Sequence, residues 1–138
     1  NSHIGIANEI EINKNGIKHP LYKNKDKKFN SPAFNFDEVV KIPDKGICLA
    51  SNKINKFQGL YFEVNKTKIW GLQYHPEITY EKMINLIEFR KERLIESRKV
   101  FKDDTEVQKH IAFIKKEISV SDKEKRMLEL KNWLNELN

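Results

Sequence analysis

The stretch that decides the fold is Ile69-Trp70-Gly71-Leu72-Gln73-Tyr74-His75-Pro76-Glu77-Ile78-Thr79. Its first part is apolar and suits a buried strand, and Pro76 should end that strand because it cannot donate to a sheet ladder. His75 is therefore expected at a strand end, with the carboxylate of Glu77 two residues further on. An amphipathic helical pattern follows at once. Residues 69–79 thus present a histidine and a carboxylate where a strand gives way to a helix.

The order of His75 and Glu77 suits acid-base chemistry. A carboxylate two residues after a histidine can reach back to Nδ1, fix the tautomer and stabilise the imidazolium. Nε2 is then left to take or hold a proton for a nucleophile. The corner predicts the base and the orienting carboxylate of a catalytic triad, and the nucleophile has to be found elsewhere.

The composition of the 138 residues bounds the class of protein. Apolar residues make up 38%, charged residues 33%, and the mean hydropathy is −0.71, which predicts a modest core with long solvated helices. The net charge of +6 comes mostly from scattered lysines. The dense basic run at 23–28 lacks the interleaved aromatic residues that stack on bases, so no nucleic-acid partner is expected.

Cysteine usage and hydropathy bear on the compartment. The single cysteine, Cys48, excludes an internal disulfide and is typical of a reducing compartment. No stretch approaches the roughly 20 apolar residues of a membrane span. A soluble, cytoplasmic protein without a membrane partner is therefore expected, and nothing in the pattern calls for a metal or a cofactor.

Strand patterns dominate residues 1–78, and helical patterns dominate the rest. The predicted strands are 4–12, a short segment at 33–36, 47–51, 60–64 and 69–74, with a turn at 13–16 and a hairpin connection at 65–68. Thr79 is the predicted N-cap of a helix that runs to about Phe101, and a second helix restarts at Asp103. Residues 121–124 form a capping box before a third helix. Its apolar stripe is Met127, Leu130, Trp133, Leu134 and Leu137.

Cys48 is the obvious candidate for the missing nucleophile, because residues 46–50 superficially resemble a nucleophile elbow. Three facts oppose this role. Ala50 stands where an elbow needs glycine, residues 51–53 are polar, and residues 47–50 have the pattern of an ordinary buried strand. A lone cysteine in such a strand usually has an unactivated thiol. We therefore expect the nucleophile upstream of residue 1.

The motif at 71–77, Gly-Leu-Gln-Tyr-His-Pro-Glu, resembles the C-terminal catalytic motif of the class I, triad-type glutamine amidotransferases. The resemblance covers about residues 3–90. Residues 3–6 are similar to a family strand that carries a glycine, residues 37–43 resemble the H-x-D-x-V-x-x-[IL]-P segment, and residues 47–51 match the next strand. Ile78-Thr79 after the glutamate is more similar to the GMP synthase-like branch than to the anthranilate synthase branch.

The resemblance implies an α/β, flavodoxin-like fold. Residues 1–102 would form the strand-rich C-terminal part of the amidotransferase domain, including the helix after the His-Pro-Glu motif. Residues 103–138 would form a helical C-terminal extension. The N-terminal remainder of the domain would be a partner of this chain and would carry the cysteine elbow.

The resemblance also implies an activity. His75 would generate a cysteine thiolate with Glu77 as its orienter, glutamine would be hydrolysed through a thioester, and ammonia would pass to a partner synthetase, either a domain or a separate subunit. Asn35 stands where the GMP synthase-like branch commonly has a histidine, and Asp37 is retained. Both are candidate glutamine-binding residues, and no metal or cofactor is implied.

Two alternatives stay open from the sequence. One is a non-catalytic, amidotransferase-like binding or regulatory module, which the departures at Phe34 and Asn35 favour. The other is a related hydrolase that cleaves γ-glutamyl amides and releases the product to solvent. In each case the chain by itself lacks a convincing nucleophile and is expected to be inactive.

Overall fold

The computed structural model describes residues 2–137 and shows a mixed α/β fold. The strands are β1 (His3–Ile4), β2 (Ala7–Ile12), β3 (Lys28–Ser31), β4 (Phe34–Asn35), β5 (Ile47–Ser51), β6 (Gly59–Val64) and β7 (Thr67–Leu72). The helices are α1 (Lys14–Lys18), α2 (Tyr80–Phe89), α3 (Lys91–Glu96), α4 (Asp104–Val120), α5 (Lys123–Arg126) and α6 (Leu128–Glu136), with a 3-10 turn at Pro20–Tyr22. The predicted α/β class is confirmed.

The strands form two antiparallel groups. Five of them make a sheet in the order β3-β2-β5-β6-β7, and β1 pairs separately with β4. Within residues 2–137 every strand pair is antiparallel, whereas a flavodoxin-like fold is built on a mostly parallel sheet. The described part of the chain therefore has the α/β class without the parallel sheet of a flavodoxin-like fold.

The hairpin of β6 and β7 leads the chain to the corner at His75. Asn65 and Lys66 connect the two strands with φ values of 48° and 71°, as a type I′ turn requires. The predicted hairpin is confirmed. Its second strand ends at Leu72 rather than at the predicted Tyr74.

Residues 13–16, predicted as a turn, instead open the short helix α1. Asn13 caps this helix by accepting two backbone N–H groups with its Oδ1. A Cβ on Gly16 would lie 2.2 Å from the Leu49 carbonyl oxygen, so this glycine is required for close packing of α1 on β5.

Two apolar clusters form the core. The sheet cluster contains Ala7, Ile10, Ile12, Leu21, Tyr22, Ala33, Leu49, Ala50 and Tyr74. The helical cluster contains Ile4, Ile6, Tyr80, Ile87, Leu94, Phe101, Val107, Ile111 and Ile114. Gly5 has φ +88°, and a Cβ there would lie 2.7 Å from Ile114 Cδ1 and 2.8 Å from Ile87 Cδ1. Helices α2 and α4 therefore pack directly on the backbone that follows β1.

The helical half begins as predicted and then breaks where continuity was predicted. Thr79 caps α2, but this helix ends at Phe89 instead of running to about Phe101. Arg90 leaves the helical conformation with φ −99° and ψ 10°, and the chain restarts as α3. The break turns the chain so that Leu94, which is fully buried, enters the helical cluster.

The later helices differ from the prediction in where they begin and end. α4 begins where predicted, with Asp103 as its N-cap. The capping-box prediction is wrong, because Asp122 rather than Ser121 caps α5. Met127, with φ −92° and ψ 5°, separates α5 from α6 in what was predicted as one helix. No helix within residues 2–137 combines the length and the apolarity needed to cross a membrane.

The orientation of α6 is also opposite to the predicted one. Its apolar stripe faces solvent, with Trp133, Leu134 and Leu137 exposed by 45%, 55% and 64%. The side chains that α6 buries are those of Glu129 and Asn132. Polar contacts with the sheet half of the chain, described below, determine this orientation.

Candidate active site

Backbone hydrogen bonds fix the corner that holds His75. The Gln73 N–H donates to the Gln58 carbonyl at 2.9 Å, and the His75 N–H donates to the Pro32 carbonyl at 2.7 Å. The Ile78 N–H then donates to the His75 carbonyl at 3.2 Å and closes a turn. The histidine backbone is thus held between the sheet and the segment that precedes β4.

The structure brings His75 and Glu77 together. His75 Nδ1 lies 2.7 Å from Glu77 Oε1, and the two side chains are 44% and 47% exposed. A carboxylate at Nδ1 favours the tautomer with its proton on Nδ1, and it stabilises the imidazolium when Nε2 takes a second proton. No group within residues 2–137 hydrogen-bonds to Nε2, which leaves this nitrogen open to a reacting group.

The other three histidines have structural contacts. His3 is buried, its Nε2 lies 2.8 Å from the Gln58 amide nitrogen, and burial lowers its pKa. His19 accepts a backbone N–H, and His110 contacts a backbone carbonyl. Within residues 2–137, the imidazole of His75 lies 2.7 Å from the carboxylate of Glu77. The same residues contain no group of three or more His, Cys, Asp or Glu that could hold a metal ion.

Cys48 lies in β5, next to an irregularity in the pairing of β5 with β6. It pairs with Leu60 across β5 and β6, and its thiol contacts the carbonyl oxygens of Ala50 at 3.5 Å and Lys56 at 3.6 Å. Partial burial raises the pKa of the Cys48 thiol, whereas a nucleophilic cysteine needs a lowered one. Of the hydrogen bonds formed within residues 2–137, none joins Cys48 to His75.

The two candidate glutamine-binding residues have different surroundings. Asn35 donates from Nδ2 to the Gln73 carbonyl at 3.3 Å, and its Oδ1 is buried with no hydrogen-bond partner among the described residues. Gln73 in turn accepts the Val39 N–H at 2.7 Å. Asp37 is exposed in the loop after β4. The structure therefore brings Asn35, but not Asp37, into hydrogen-bond contact with the corner.

A buried polar cluster next to His75 was not found by sequence reasoning. The Tyr74 hydroxyl donates to Glu129 Oε2 at 2.6 Å and lies 2.9 Å from the Tyr22 hydroxyl. The other oxygen of Glu129 pairs with Lys25 Nζ at 2.8 Å. Burial raises the pKa of both tyrosines, so both hydroxyls stay protonated. Lys25 and Glu129 are 104 positions apart, and no local pattern in the sequence connects them.

Comparison with known proteins supports the resemblance. No protein-family model matches the chain. It is 30% identical over 74 residues to a gamma-glutamyl-L-1-hydroxyisopropylamide hydrolase from Pseudomonas sp., which covers 54% of this chain and 25% of the hydrolase. It is 35% identical over 71 residues to a glutamine-hydrolyzing GMP synthase subunit from Methanocaldococcus jannaschii, which covers 51% of this chain and 36% of that protein.

The matched part is therefore between a quarter and about a third of the length of these relatives. Both similarities support a relationship with the class I glutamine amidotransferase family. They concern proteins with different named activities, so they support the family and not one branch of it.

Proposed function

We propose that this chain supplies the base and the orienting carboxylate of a Cys-His-Glu triad in a GMP synthase-like glutamine amidotransferase. The observation that carries the proposal is the 2.7 Å contact of His75 Nδ1 with Glu77, which leaves Nε2 open. Both relatives are named for cleaving a γ-glutamyl amide or glutamine, which supports this substrate class. The nucleophilic cysteine of the triad lies, in this proposal, upstream of residue 1.

In the proposed reaction, His75 Nε2 takes the proton of the cysteine thiol, and the thiolate attacks the γ-carbonyl carbon of glutamine. The tetrahedral intermediate collapses with cleavage of the C–N bond, and the imidazolium gives its proton to the departing ammonia. A water molecule then attacks the thioester while His75 takes one of its protons. Cleavage of the C–S bond releases glutamate and returns the thiol. Glu77 stabilises the imidazolium in both halves of the reaction.

Two observations support a nucleophile outside this chain. The Cys48 thiol donates to backbone carbonyls, and its pKa is raised by burial. In addition, β1 and β4 form a separate sheet of two strands with two paired residues in each, which is small for an independent sheet. We propose that the N-terminal remainder of the domain pairs there and completes a flavodoxin-like sheet around residues 1–102.

The substrate side of the proposed site includes Asn35. Asn35 donates to the carbonyl of Gln73, two residues before His75, and we propose that it lies against the α-ammonium group of bound glutamine. Asp37, exposed in the adjoining loop, is proposed to bind the same group from the solvent side. The similarity to a protein of GMP synthase supports a synthetase partner that accepts the ammonia.

The test is ammonia release from glutamine by the complete polypeptide that the gene encodes. His75→Ala is expected to lower kcat by at least about 100-fold, because the general base is removed, while the melting temperature stays near the wild-type value. Cys48→Ala is the matched control and should keep wild-type kcat. Unchanged turnover in a folded His75→Ala protein would refute the assignment of the base.

The similarity to the hydroxyisopropylamide hydrolase favours a second candidate, a hydrolase that cleaves γ-glutamyl alkylamides and releases the amine to solvent. Parallel assays with glutamine and with a γ-glutamyl alkylamide separate the two. Preference for glutamine, with ammonia transferred to a synthetase, supports the amidotransferase. Preference for the alkylamide supports the hydrolase, and turnover of neither substrate supports a non-catalytic module.

A further inference from the structure

Side chains of the C-terminal helices contact the chain on both sides of His75. Arg126, at the end of α5, donates from Nε to the Pro76 carbonyl at 3.0 Å. Glu129, in α6, accepts the Tyr74 hydroxyl at 2.6 Å. The residues immediately before and after the histidine are therefore held by side chains 55 and 50 positions further along the chain.

Glu129 is itself fixed by a complete set of partners. Its Oε1 pairs with Lys25, and the two side chains are 4% and 1% exposed for Lys25 and Glu129, respectively. Lys25 Nζ also donates to the Lys125 carbonyl at 2.8 Å. Because the hydroxyl proton of Tyr74 goes to Glu129, Tyr22 is the donor in the 2.9 Å bond between the tyrosines. A satisfied buried network of this kind specifies one arrangement of its members.

Buried polar side chains determine the orientation of α6. The helix buries Glu129 and Asn132 and leaves Trp133 45% exposed. A buried ion pair is often no more stabilising than apolar residues of similar volume in its place. On the same helix face, Asn132 donates to the carbonyls of Leu21 and Lys23, so the buried face of α6 also holds the 3-10 turn. Unlike an apolar residue in its place, Glu129 also accepts the Tyr74 hydroxyl and so fixes the residue before His75.

We propose that Arg126 and Glu129 are positioning residues for His75. They hold the chain at 74–76 so that the imidazole keeps its bond to Glu77 and Nε2 stays directed at the reacting atoms. The pair of His75 and Glu77 is about half exposed, and solvent competes for its hydrogen bond. The fraction of molecules in which His75 and Glu77 are hydrogen-bonded therefore depends on how firmly the backbone between them is held. The kinetic consequence of this inference rests on the proposed function.

A spectroscopic test uses the complete gene-encoded polypeptide with ring-15N-labelled histidine. The His75 signal is identified by its absence in His75→Gln, and the neutral wild-type ring is expected mainly as the Nδ1-protonated tautomer. Arg126→Ala and Tyr74→Phe should each move part of the population to the Nε2-protonated tautomer. Arg126→Lys, which keeps a donor, should recover much of that loss. Glu124→Gln, on the exposed part of α5, is the matched control and should leave the tautomer unchanged.

Glutamine turnover separates positioning from general damage to the fold. Arg126→Ala and Glu129→Gln are expected to lower kcat about tenfold, because the base is displaced from the reacting atoms. KM should stay at the wild-type value, since the groups that bind glutamine are untouched. Glu124→Gln should keep wild-type kcat. If Glu129→Gln does not fold, Arg126→Ala decides, because Arg126 is only partly buried.

The positioning role and the proposed function fail in different ways. A folded Arg126→Ala protein with a wild-type tautomer population, or with wild-type kcat in an enzyme that needs His75, overturns the positioning role. If His75→Ala leaves ammonia release unchanged, the triad assignment falls instead. The tautomer measurement then still decides whether Arg126 and Glu129 hold His75.

Discussion

Two hydrogen-bonded pairs with a carboxylate partner have nearly the same length and very different surroundings. His75 and Glu77 are 2.7 Å apart, two positions from each other in the chain, and their side chains are 44% and 47% exposed. Lys25 and Glu129 are 2.8 Å apart, 104 positions from each other, and their side chains are 4% and 1% exposed. One pair is formed by a local corner, and the other by the docking of α6.

Exposure decides what each pair can do. Solvent screens the pair of His75 and Glu77, so it contributes little to stability, but its imidazole can meet a substrate and exchange protons. The pair of Lys25 and Glu129 cannot meet a substrate, and removal of either partner would leave an uncompensated buried charge. The Tyr74 hydroxyl connects the second pair to the residue next to His75.

The largest effect on stability is expected when the buried pair is broken. Lys25→Met leaves the Glu129 carboxylate buried opposite an apolar side chain. The free energy of unfolding should fall by about 3–5 kcal/mol. Urea denaturation followed by tryptophan fluorescence measures this change.

The double variant Lys25→Met/Glu129→Leu is the control for that measurement. It removes both charges, so part of the lost stability should return, because apolar residues often replace a buried ion pair without cost. The return is incomplete because the buried Tyr74 hydroxyl loses its acceptor. A double variant as unstable as Lys25→Met would show that the loss does not come from the uncompensated charge of Glu129. The contributions of the two pairs to the free energy of unfolding would then differ less than their burial indicates.

Alkaline pH tests the same cluster through its tyrosines. Burial raises the pKa of Tyr22 and Tyr74 above the ordinary value of 10.0, so the folded chain keeps protons that the unfolded chain loses. Their contribution to stability is complete below pH 10 and is lost above it, by about 1.4 kcal/mol per pH unit for each hydroxyl. Burial lowers the pKa of Lys25, which acts in the opposite direction but equally in wild type and Tyr74→Phe.

Urea denaturation at several pH values above about pH 10 measures the slope of stability against pH. Tyr74→Phe should make the fall of stability with pH less steep by about 1.4 kcal/mol per pH unit, which is the contribution of one hydroxyl. The same slope in both proteins would mean that Tyr74 loses its proton as readily in the folded chain as in the unfolded one.

The sequence predicted the parts of the structure that local geometry determines. A separation of two positions lets the Glu77 carboxylate reach His75 Nδ1, although the strand before this corner ends at Leu72 and not next to Pro76. The hairpin was predictable for the same reason, since Asn65 and Lys66 lie between two strand patterns. In each case the deciding residues are neighbours in the chain.

The parts that were missed depend on distant contacts. The apolar period of α6 shows which face could be buried, but Tyr74 and Lys25, which lie 55 and 104 positions from Glu129, decide which face is buried. The break at Arg90 has no glycine or proline to mark it. It follows from the packing of Leu94 in the helical cluster. Sequence periodicity carries no information about such partners.

The smallest change in stability is expected at the exposed pair. Glu77→Gln keeps the size of the side chain and an acceptor for Nδ1, and it should change the free energy of unfolding by less than about 1 kcal/mol. The same variant should lower kcat of the complete polypeptide by at least about tenfold, because an amide does not stabilise the imidazolium as a carboxylate does.

Urea denaturation and ammonia release from the same Glu77→Gln preparation measure both quantities. A loss of stability as large as that of Lys25→Met would make Glu77 an anchor like Glu129, and unchanged kcat would mean that His75 acts without an orienting carboxylate. A fall in kcat without a fall in stability would instead show that the two pairs have different roles. The pair of His75 and Glu77 would then take part in proton transfer, and the pair of Lys25 and Glu129 would hold the backbone next to His75 in place.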